Sequence, residues 1–218
     1  MSDVTAIVQA RMTSQRFPGK VLASFKGRPI LEHVVSAVEA VVPRERVTIA
    51  TSTDPTDDAI AAFAKKRGTA LVRGDLVNVL ARFQQAARES SAEWILRINA
   101  DSPLHDPQVL RRVIAEAGPH CDVVTTIRPR TFPKGRNAEL VRRTALLGID
   151  AAAASIEEQE HVTSYFYLRP DRYRIVNVES GHADWAQHSL VVDTLEDLTR
   201  LEAMSDADLD RFRLEANA

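Results

Sequence analysis

The chain has 218 residues, of which 44% are hydrophobic, and its formal net charge at pH 7 is −2. This length suffices for one substantial domain with a buried core, and a second full domain is not expected. The charge lacks the basic excess of proteins that capture nucleic acid nonspecifically, so no nucleic acid partner is expected. One cysteine, Cys121, excludes an internal disulfide and a cysteine-based zinc cluster. Because no apolar run could span a bilayer and no signal peptide pattern opens the chain, we expect a cytoplasmic protein without a membrane partner.

Short β-rich runs alternate with longer amphipathic runs in the first part of the chain. This alternation is typical of βαβ units and a mostly parallel sheet. Strands are predicted at 4–8, 47–51, 70–72, 94–98 and 122–126. Helices are predicted between them at 30–41, 57–66, 77–90 and 107–117.

The pattern is less regular beyond residue 126. A basic, proline-containing loop precedes a predicted strand or edge at 138–141. The remaining elements are predicted helices at 143–153, 157–167 and 195–204, strands at 173–178 and 189–192, and a final helix capped by Ser205. Without repeats or low-complexity linkers, the sequence predicts one α/β domain over 1–218, with helices flanking a mostly parallel mixed sheet.

The loop after the first strand carries three cations within ten residues, Arg11, Arg16 and Lys20. Open α/β folds place a ligand crevice where a strand ends in such a loop shortly before a helix. The cations, the Ser14 hydroxyl and free backbone N–H groups near Gly19 suit a bound polyphosphate. The alternative is that these basic residues are only solvated. The loop has neither a Walker nor a Rossmann glycine pattern.

Two carboxylates follow predicted strands at distant points of the chain. Asp101 follows strand 94–98 in RINADSPL, and Asp193 follows strand 189–192 in LVVDTLEDL. Carboxylates at two strand ends of one sheet offer a shared site for Mg²⁺, with water and phosphate oxygens completing the coordination. The alternative for each is a helix cap, although Asp106 is better placed than Asp101 for that role, and Thr194 competes with Asp193.

The string AIVQARMTSQRFPGKVL resembles the nucleotide-binding loop of the cytidylyltransferases that make CMP-activated sugar acids, especially the branch of spore coat polysaccharide biosynthesis protein F. RINADSPL, LVVDTLEDL and RGDLVNVLARF resemble further motifs of that family, and residues 160–163 are similar to its EHVT segment. The resemblance covers essentially the whole chain. It implies a Rossmann-like nucleotidyltransferase fold, in which Asp101 and Asp193 bind Mg²⁺ and Arg11, Ser14, Arg16 and Lys20 hold the triphosphate of CTP. This chain has Ala100 where the family usually has glycine.

The resemblance also divides the chain and assigns roles to its residues. It implies a nucleotide-binding half over 1–125, an acceptor-binding region over 126–188 that is also a candidate for dimerisation, and a return to the sheet over 189–218. Residues implied to be catalytic are Arg11, Lys20, Asp101 and Asp193. Residues implied to bind nucleotide are Ala10, Arg11, Ser14, Arg16, Gly19, Lys20, Arg73, Asn78, Asn99 and Asp101. Residues implied at the acceptor are Asn137, Glu139 and His161. For His161, packing at a dimer interface is an equal alternative. The side chain of Arg82 either reaches the nucleotide or lies on the surface.

The implied reaction is the Mg²⁺-dependent transfer of CMP from CTP to an acidic acceptor, a sugar acid or a phosphonate, by a homodimer that releases pyrophosphate. Two alternatives remain open. One is a glycosyltransferase-like enzyme that uses a preformed nucleotide sugar, which would not need a cationic grip on a triphosphate. The other is a noncatalytic nucleotide-binding protein, for which the loss of a metal ligand would be typical.

Overall fold

The main sheet of this computed structural model, which describes residues 3–182 and 184–214, has seven strands. The strands of the described chain are β1 Val4–Gln9, β2 Ser24–Phe25, β3 Arg28–Pro29, β4 Val47–Ser52, β5 Ala70–Gly74, β6 Trp94–Asn99, β7 Val123–Thr125, β8 Glu139–Arg142 and β9 Ile175–Asn177. The main sheet has the order β5-β4-β1-β6-β8-β7-β9, and β2 and β3 form a separate hairpin. Only β8 runs antiparallel to its two neighbours, β6 and β7, so the predicted mostly parallel mixed sheet is confirmed.

Helices cover both faces of this sheet. They are α1 Ile30–Glu39, α2 Asp58–Arg67, α3 Val79–Arg88, α4 Pro107–Ala115, α5 Arg143–Leu147, α6 Ile156–His161, α7 Ser164–Tyr167, α8 Leu195–Glu202 and α9 Asp206–Asp210. Along β1, Ala6 and Val8 pack into the hydrophobic core beneath α1, α4 and α8, whereas Ile7 packs into the core beneath α3 and α5. Successive side chains of a strand point to opposite faces, so a central parallel strand is apolar throughout.

The first half of the chain follows its prediction, and three predictions in the second half are wrong. The helix predicted at 143–153 ends at Leu147, because the Asp150 carboxylate accepts hydrogen bonds from the backbone N–H groups of Ala152 and Ala153 and forms a turn instead. The helix predicted at 157–167 is divided into α6 and α7 by Val162, which has φ 39° and ψ −62°.

The third wrong prediction is the strand at 189–192. This segment forms only an isolated bridge, between Ser189 and Lys134, because its backbone pairs with loops rather than with a strand. The N–H of Leu190 donates to the carbonyl of Lys134, and the N–H of Val192 donates to the carbonyl of Asp101. The final helix after Ser205 is confirmed, with the Ser205 hydroxyl capping its first turn. Within the described ranges, no helix is both long and apolar enough to cross a bilayer.

Candidate active site

A cleft of about 690 Å³ opens at the carboxyl ends of β1 and β6. The chain leaves β1 toward β4 on one side of the sheet, and β6 later joins β1 on the other side. Open α/β sheets bind ligands at such a change of direction, because the loops after the two strands diverge there. The cleft is lined by Gln9, Arg11, Thr13, Ser14, Gln15, Arg16, Lys20, Val21, Arg97, Asn99, Ala100, Asp101, Glu160, His161 and Asp193.

Lys20 joins the two strand-end carboxylates of the cleft. Its Nζ lies 2.9 Å from Oδ2 of Asp101, 2.9 Å from Oδ1 of Asp193 and 2.8 Å from the carbonyl oxygen of Val192. The Lys20 side chain is only 9% exposed, whereas those of Asp101 and Asp193 are 27% and 34% exposed. A buried ammonium therefore bridges two carboxylates that come from parts of the chain 92 residues apart, at 101 and 193.

Backbone contacts bring Asp193 to this point. The hydrogen bond from Val192 N to Asp101 O, 2.9 Å long, aligns the two loops next to each other. Gly135 has φ 94°, and a Cβ atom there would lie 2.7 Å from the carbonyl carbon of Leu190. A side chain at residue 135 would therefore displace the segment that leads to Asp193.

Neither carboxylate serves as the helix cap that was the alternative in the sequence. Asp106 caps α4 by accepting a hydrogen bond from the N–H of Gln108, and Thr194 caps α8 in a reciprocal pair with Asp197. Asp197 also accepts a hydrogen bond from the N–H of Asp193 and thereby fixes its backbone. Both Asp101 and Asp193 are thus free to face a cation.

The pair of carboxylates fits a divalent metal in its chemistry. Hard oxygen ligands suit Mg²⁺, which commonly takes one or two carboxylates and completes its coordination with water and phosphate oxygens. The Lys20 ammonium already shows that a cation is stable between Asp101 and Asp193. Over residues 3–182 and 184–214, no three or more His, Cys, Asp or Glu side chains are grouped so that they could hold a metal ion.

The other cations of the loop are also paired with carboxylates. Nη2 of Arg16 lies 2.8 Å from Oδ2 of Asp193, and the Arg16 side chain is otherwise largely exposed. Arg11 donates to both oxygens of Glu160, at 2.6 and 3.3 Å. Arg11, Arg16 and Lys20 thus all line the cleft and form ion pairs with carboxylates. They are not loop cations that contact only solvent.

The N–H of Gly19 itself is occupied, because it donates to the carbonyl of Met12 at 2.9 Å. Gly19 instead supplies a backbone conformation, φ 76°, from which a short 3₁₀ turn carries Lys20 into the site. Met12 is itself anchored by its N–H to Asp57, a fully buried residue that also binds Ser52 and that the sequence analysis did not single out.

Four residues implied to bind nucleotide do not line the cleft, namely Ala10, Gly19, Arg73 and Asn78. The guanidinium of Arg73 donates to the carbonyls of Ser52 and Asp54 and pairs with Asp58 at 2.8 Å. Asn78 caps α3 and donates its side-chain amide to the carbonyl of Ala151. Both side chains are occupied by structural contacts. Ser14 and Asn99 do line the cleft, and the buried Ala10 lies at the carboxyl end of β1.

The residues implied at the acceptor have different surroundings. His161 lines the cleft, whereas Asn137 accepts a hydrogen bond from Arg130 away from it. Glu139 is buried and accepts hydrogen bonds from Arg97 and from the Tyr167 hydroxyl, each 2.5 Å long. Burial, with the Glu139 carboxylate, raises the pKa of Tyr167, so this hydroxyl remains a donor. Glu139 thus holds Arg97 at the floor of the cleft.

Seven cleft residues were absent from the predicted site, namely Gln9, Thr13, Gln15, Val21, Arg97, Ala100 and Glu160. The alternation of side chains along β6 could have revealed Arg97, because it shares a face with Asn99 two residues later. Glu160 belongs to the segment 160–163 that resembles the family's EHVT segment, but that resemblance gave it no role, and its partner Arg11 is 149 residues away in the chain.

Comparisons with known proteins agree with this architecture. Spore coat polysaccharide biosynthesis protein SpsF of Bacillus subtilis is 33% identical over 94% of this chain and 87% of its own length. The 3-deoxy-manno-octulosonate cytidylyltransferase of Anaeromyxobacter sp. is 27% identical over 94% of this chain and 97% of its own length. A solved cytidylyltransferase structure from Leptospira borgpetersenii superposes with a TM-score of 0.87 at 25% identity, covering 97% of this chain and 93% of that one. Because the family model for cytidylyltransferases matches residues 5–212, the chain belongs to the cytidylyltransferase family and is a nucleotidyltransferase.

Proposed function

We propose that this enzyme transfers CMP from CTP to a sugar acid and releases pyrophosphate with the help of Mg²⁺. The observation that carries the proposal is the cluster of Lys20, Asp101 and Asp193 at the mouth of a cleft that also holds Arg11 and Arg16. Three cations and two carboxylates at the ends of β1 and β6 suit a triphosphate together with a divalent ion.

Each charged group has a role in this reaction. An acceptor hydroxyl attacks the α-phosphorus in line, the bond from that phosphorus to pyrophosphate breaks, and the hydroxyl proton is lost to solvent or to a base. Arg11, Arg16 and Lys20 bind the phosphate oxygens and stabilise the charge on departing pyrophosphate. Asp101 and Asp193 would hold Mg²⁺, which offsets the charge of the phosphates when it is bound. No covalent enzyme intermediate is needed.

The acceptor is proposed to be a sugar acid. The name of the 3-deoxy-manno-octulosonate cytidylyltransferase among its relatives supports this class. Arg97, Asn99 and His161 provide cationic and polar groups in the lining of the cleft. A phosphonate remains a second acceptor class, because it would meet the same groups. A nucleotide-sugar donor is less suited, since it lacks the third phosphate that the cations Arg11, Arg16 and Lys20 could hold.

A homodimer is also proposed, with residues 126–188 as its interface. Ile156 and Leu168 support it, because their side chains are 81% and 60% exposed and lie on neighbouring parts of this region. Light scattering should give a mass of two chains, and Ile156→Glu should lower it. A single-chain mass for the unaltered protein would contradict the dimer.

The reaction is tested by a pyrophosphate-release screen. CTP, UTP, ATP and GTP are each combined with sugar acids, sugar phosphates and phosphonates, with Mg²⁺ or with excess EDTA. We expect release with CTP and a sugar acid, and none with EDTA. Full turnover in EDTA would contradict the requirement for a metal ion, and a preference for another nucleotide would contradict CTP as the donor. Consumption of a preformed nucleotide sugar without pyrophosphate release would contradict the reaction class.

A further inference from the structure

Arg82 of α3 is a buried cation that lacks partners for most of its donors. Its side chain is fully buried, and its Nη1 donates to the carbonyl of Asp75 at 2.8 Å. Nε and Nη2 have no hydrogen-bond partner among residues 3–182 and 184–214. A buried charged donor without an acceptor is costly, so a carboxylate that reached this guanidinium would be strongly favoured.

Three carboxylates lie close enough to Arg82 to act on its charge, namely Asp57, Asp75 and Glu160. Asp57 is occupied by the backbone N–H groups of Met12 and Ser52. Asp75 is occupied by the N–H groups of its own turn, at residues 77 and 78. Glu160 alone is bound only to another side chain, that of Arg11.

The pair of Arg11 and Glu160 blocks a group that the reaction needs. Arg11 cannot present both guanidinium nitrogens to a phosphate while they bind the two oxygens of Glu160, at 2.6 and 3.3 Å. Both side chains remain about one-third exposed at the cleft, so an incoming phosphate can compete for Arg11. Once displaced, Glu160 would be a carboxylate without a partner, on a helix that packs against the helix of Arg82.

The backbone beside Glu160 has a conformation from which it can move. Glu160 lies in the last turn of α6, which packs against α3, the helix of Arg82. Two residues later, Val162 has φ 39°, a value that β-branched residues rarely adopt because of steric conflict. Such strain persists only where the surrounding structure enforces it.

We propose that Glu160 changes partner when a triphosphate binds: the phosphates take Arg11, and the carboxylate of Glu160 moves to Nε and Nη2 of Arg82. Arg82 is then a positioning residue, which makes Arg11 available by holding Glu160 away from it. This inference rests on the proposed function, because it requires a triphosphate in the cleft. The exchange differs from a purely structural role, because the effect of replacing Arg82 on triphosphate binding then depends on whether Glu160 is present.

A double-mutant cycle on ligand binding tests the exchange. Calorimetry measures the affinity of CTP, and of inorganic triphosphate as a probe without a nucleoside, for the full-length protein and for Arg82→Met, Glu160→Gln and the double variant. A charge-assisted contact corresponds to a change of roughly 10- to 150-fold, so Arg82→Met should weaken binding by at least about tenfold. In the Glu160→Gln background the same substitution should weaken binding by less than about threefold. Glu157→Gln, which changes an exposed glutamate on the helix of Glu160, should alter neither the affinity of CTP nor that of inorganic triphosphate.

The outcomes separate this exchange from the proposed function. Equal weakening by Arg82→Met in both backgrounds would show a structural role and overturn the exchange, while triphosphate binding itself would stand. Failure of the unaltered protein to bind any triphosphate would overturn both proposals. If Arg82→Met does not fold, Arg82→Lys replaces it, because it keeps the buried charge but offers fewer donors. It should weaken binding in the same background-dependent way, and an effect equal in both backgrounds would again overturn the exchange.

Discussion

Replacement of Lys20 by methionine tests the central cluster without any assumption about the substrate. Methionine keeps the length of the side chain but removes the ammonium that lies within 2.9 Å of three oxygens. Asp101 and Asp193 would then face each other with only Arg16 left as a cation. Loss of one partner from a buried ion pair costs about 3–5 kcal/mol, and the exposed fraction of these carboxylates reduces this to about 2–3 kcal/mol. For a chain of this size, each 1 kcal/mol lowers the Tm by about 2–4 °C.

Divalent metal should restore part of this stability. With its carboxylates freed, the Lys20→Met protein should bind Mg²⁺ without nucleotide, and a concentration of about ten times Kd would add about 1.4 kcal/mol. The unaltered protein should respond far less, because Lys20 competes for the same oxygens.

Thermal unfolding followed by circular dichroism measures both effects, in EDTA and in increasing MgCl₂. Lys66→Met, which removes an exposed lysine from α2, is the matched control and should leave the Tm and its Mg²⁺ response unchanged. A Lys20→Met protein that is as stable as the unaltered one in EDTA would refute the ion-pair argument. A response to Mg²⁺ of equal size in both proteins would refute the competition between lysine and metal.

Three further predictions concern other parts of the site. Asp193→Asn should lower pyrophosphate release by orders of magnitude, and near-normal turnover would remove Asp193 from the metal site. Combined with Lys20→Met, it should also abolish the response of the Tm to Mg²⁺. Gly135→Ala should lower both stability and turnover, because its Cβ would meet the backbone of Leu190. Gly181→Ala should lower stability alone, because Gly181 has φ 80° but no atom lies within 4 Å of the added Cβ. Equal effects of the two substitutions on turnover would refute this reasoning. Burial lowers the pKa of His105 to about 4, below its value in the unfolded chain, so stability is retained above pH 6.5 and is lost as pH falls toward 4. Between pH 7.5 and 5.0, the free energy of chemical unfolding should fall by about 2 kcal/mol more in the unaltered protein than in His105→Gln. An equal fall in both proteins would contradict this prediction.

The sequence predicts those site residues whose position follows from a strand end. Lys20, Asp101 and Asp193 belong to local motifs next to apolar runs, and parallel strands bring their carboxyl ends to one edge of the sheet. Asp193 lies beside Asp101 although its predicted strand does not exist, because a backbone hydrogen bond between residues 192 and 101 aligns the two loops as strand pairing would. A local apolar pattern cannot distinguish these two cases. The role of Asp193 as a metal ligand stays a prediction.

Other features depend on tertiary contacts that no local pattern records. Arg73 was implied at the nucleotide, but carbonyl groups of the neighbouring loop and Asp58 occupy its guanidinium. Glu160 was missed because its partner, Arg11, comes from a distant segment. Side chains with several donors or acceptors can reach many partners, and only the folded chain decides among them.

The position of β8 bears on how this enzyme could be recombined with its relatives. Because β8 lies between β6 and β7, residues 139–142 are inserted into the interior of the sheet, whereas β9, from later in the chain, lies at its edge. A chimera joined at residue 125 would have to reproduce the antiparallel register that pairs Arg97 with Glu139, or the floor of the cleft would lose the carboxylate that orients its arginine. Acceptor preference should therefore be transferable between relatives by exchange of single cleft side chains, such as His161, more readily than by exchange of whole segments.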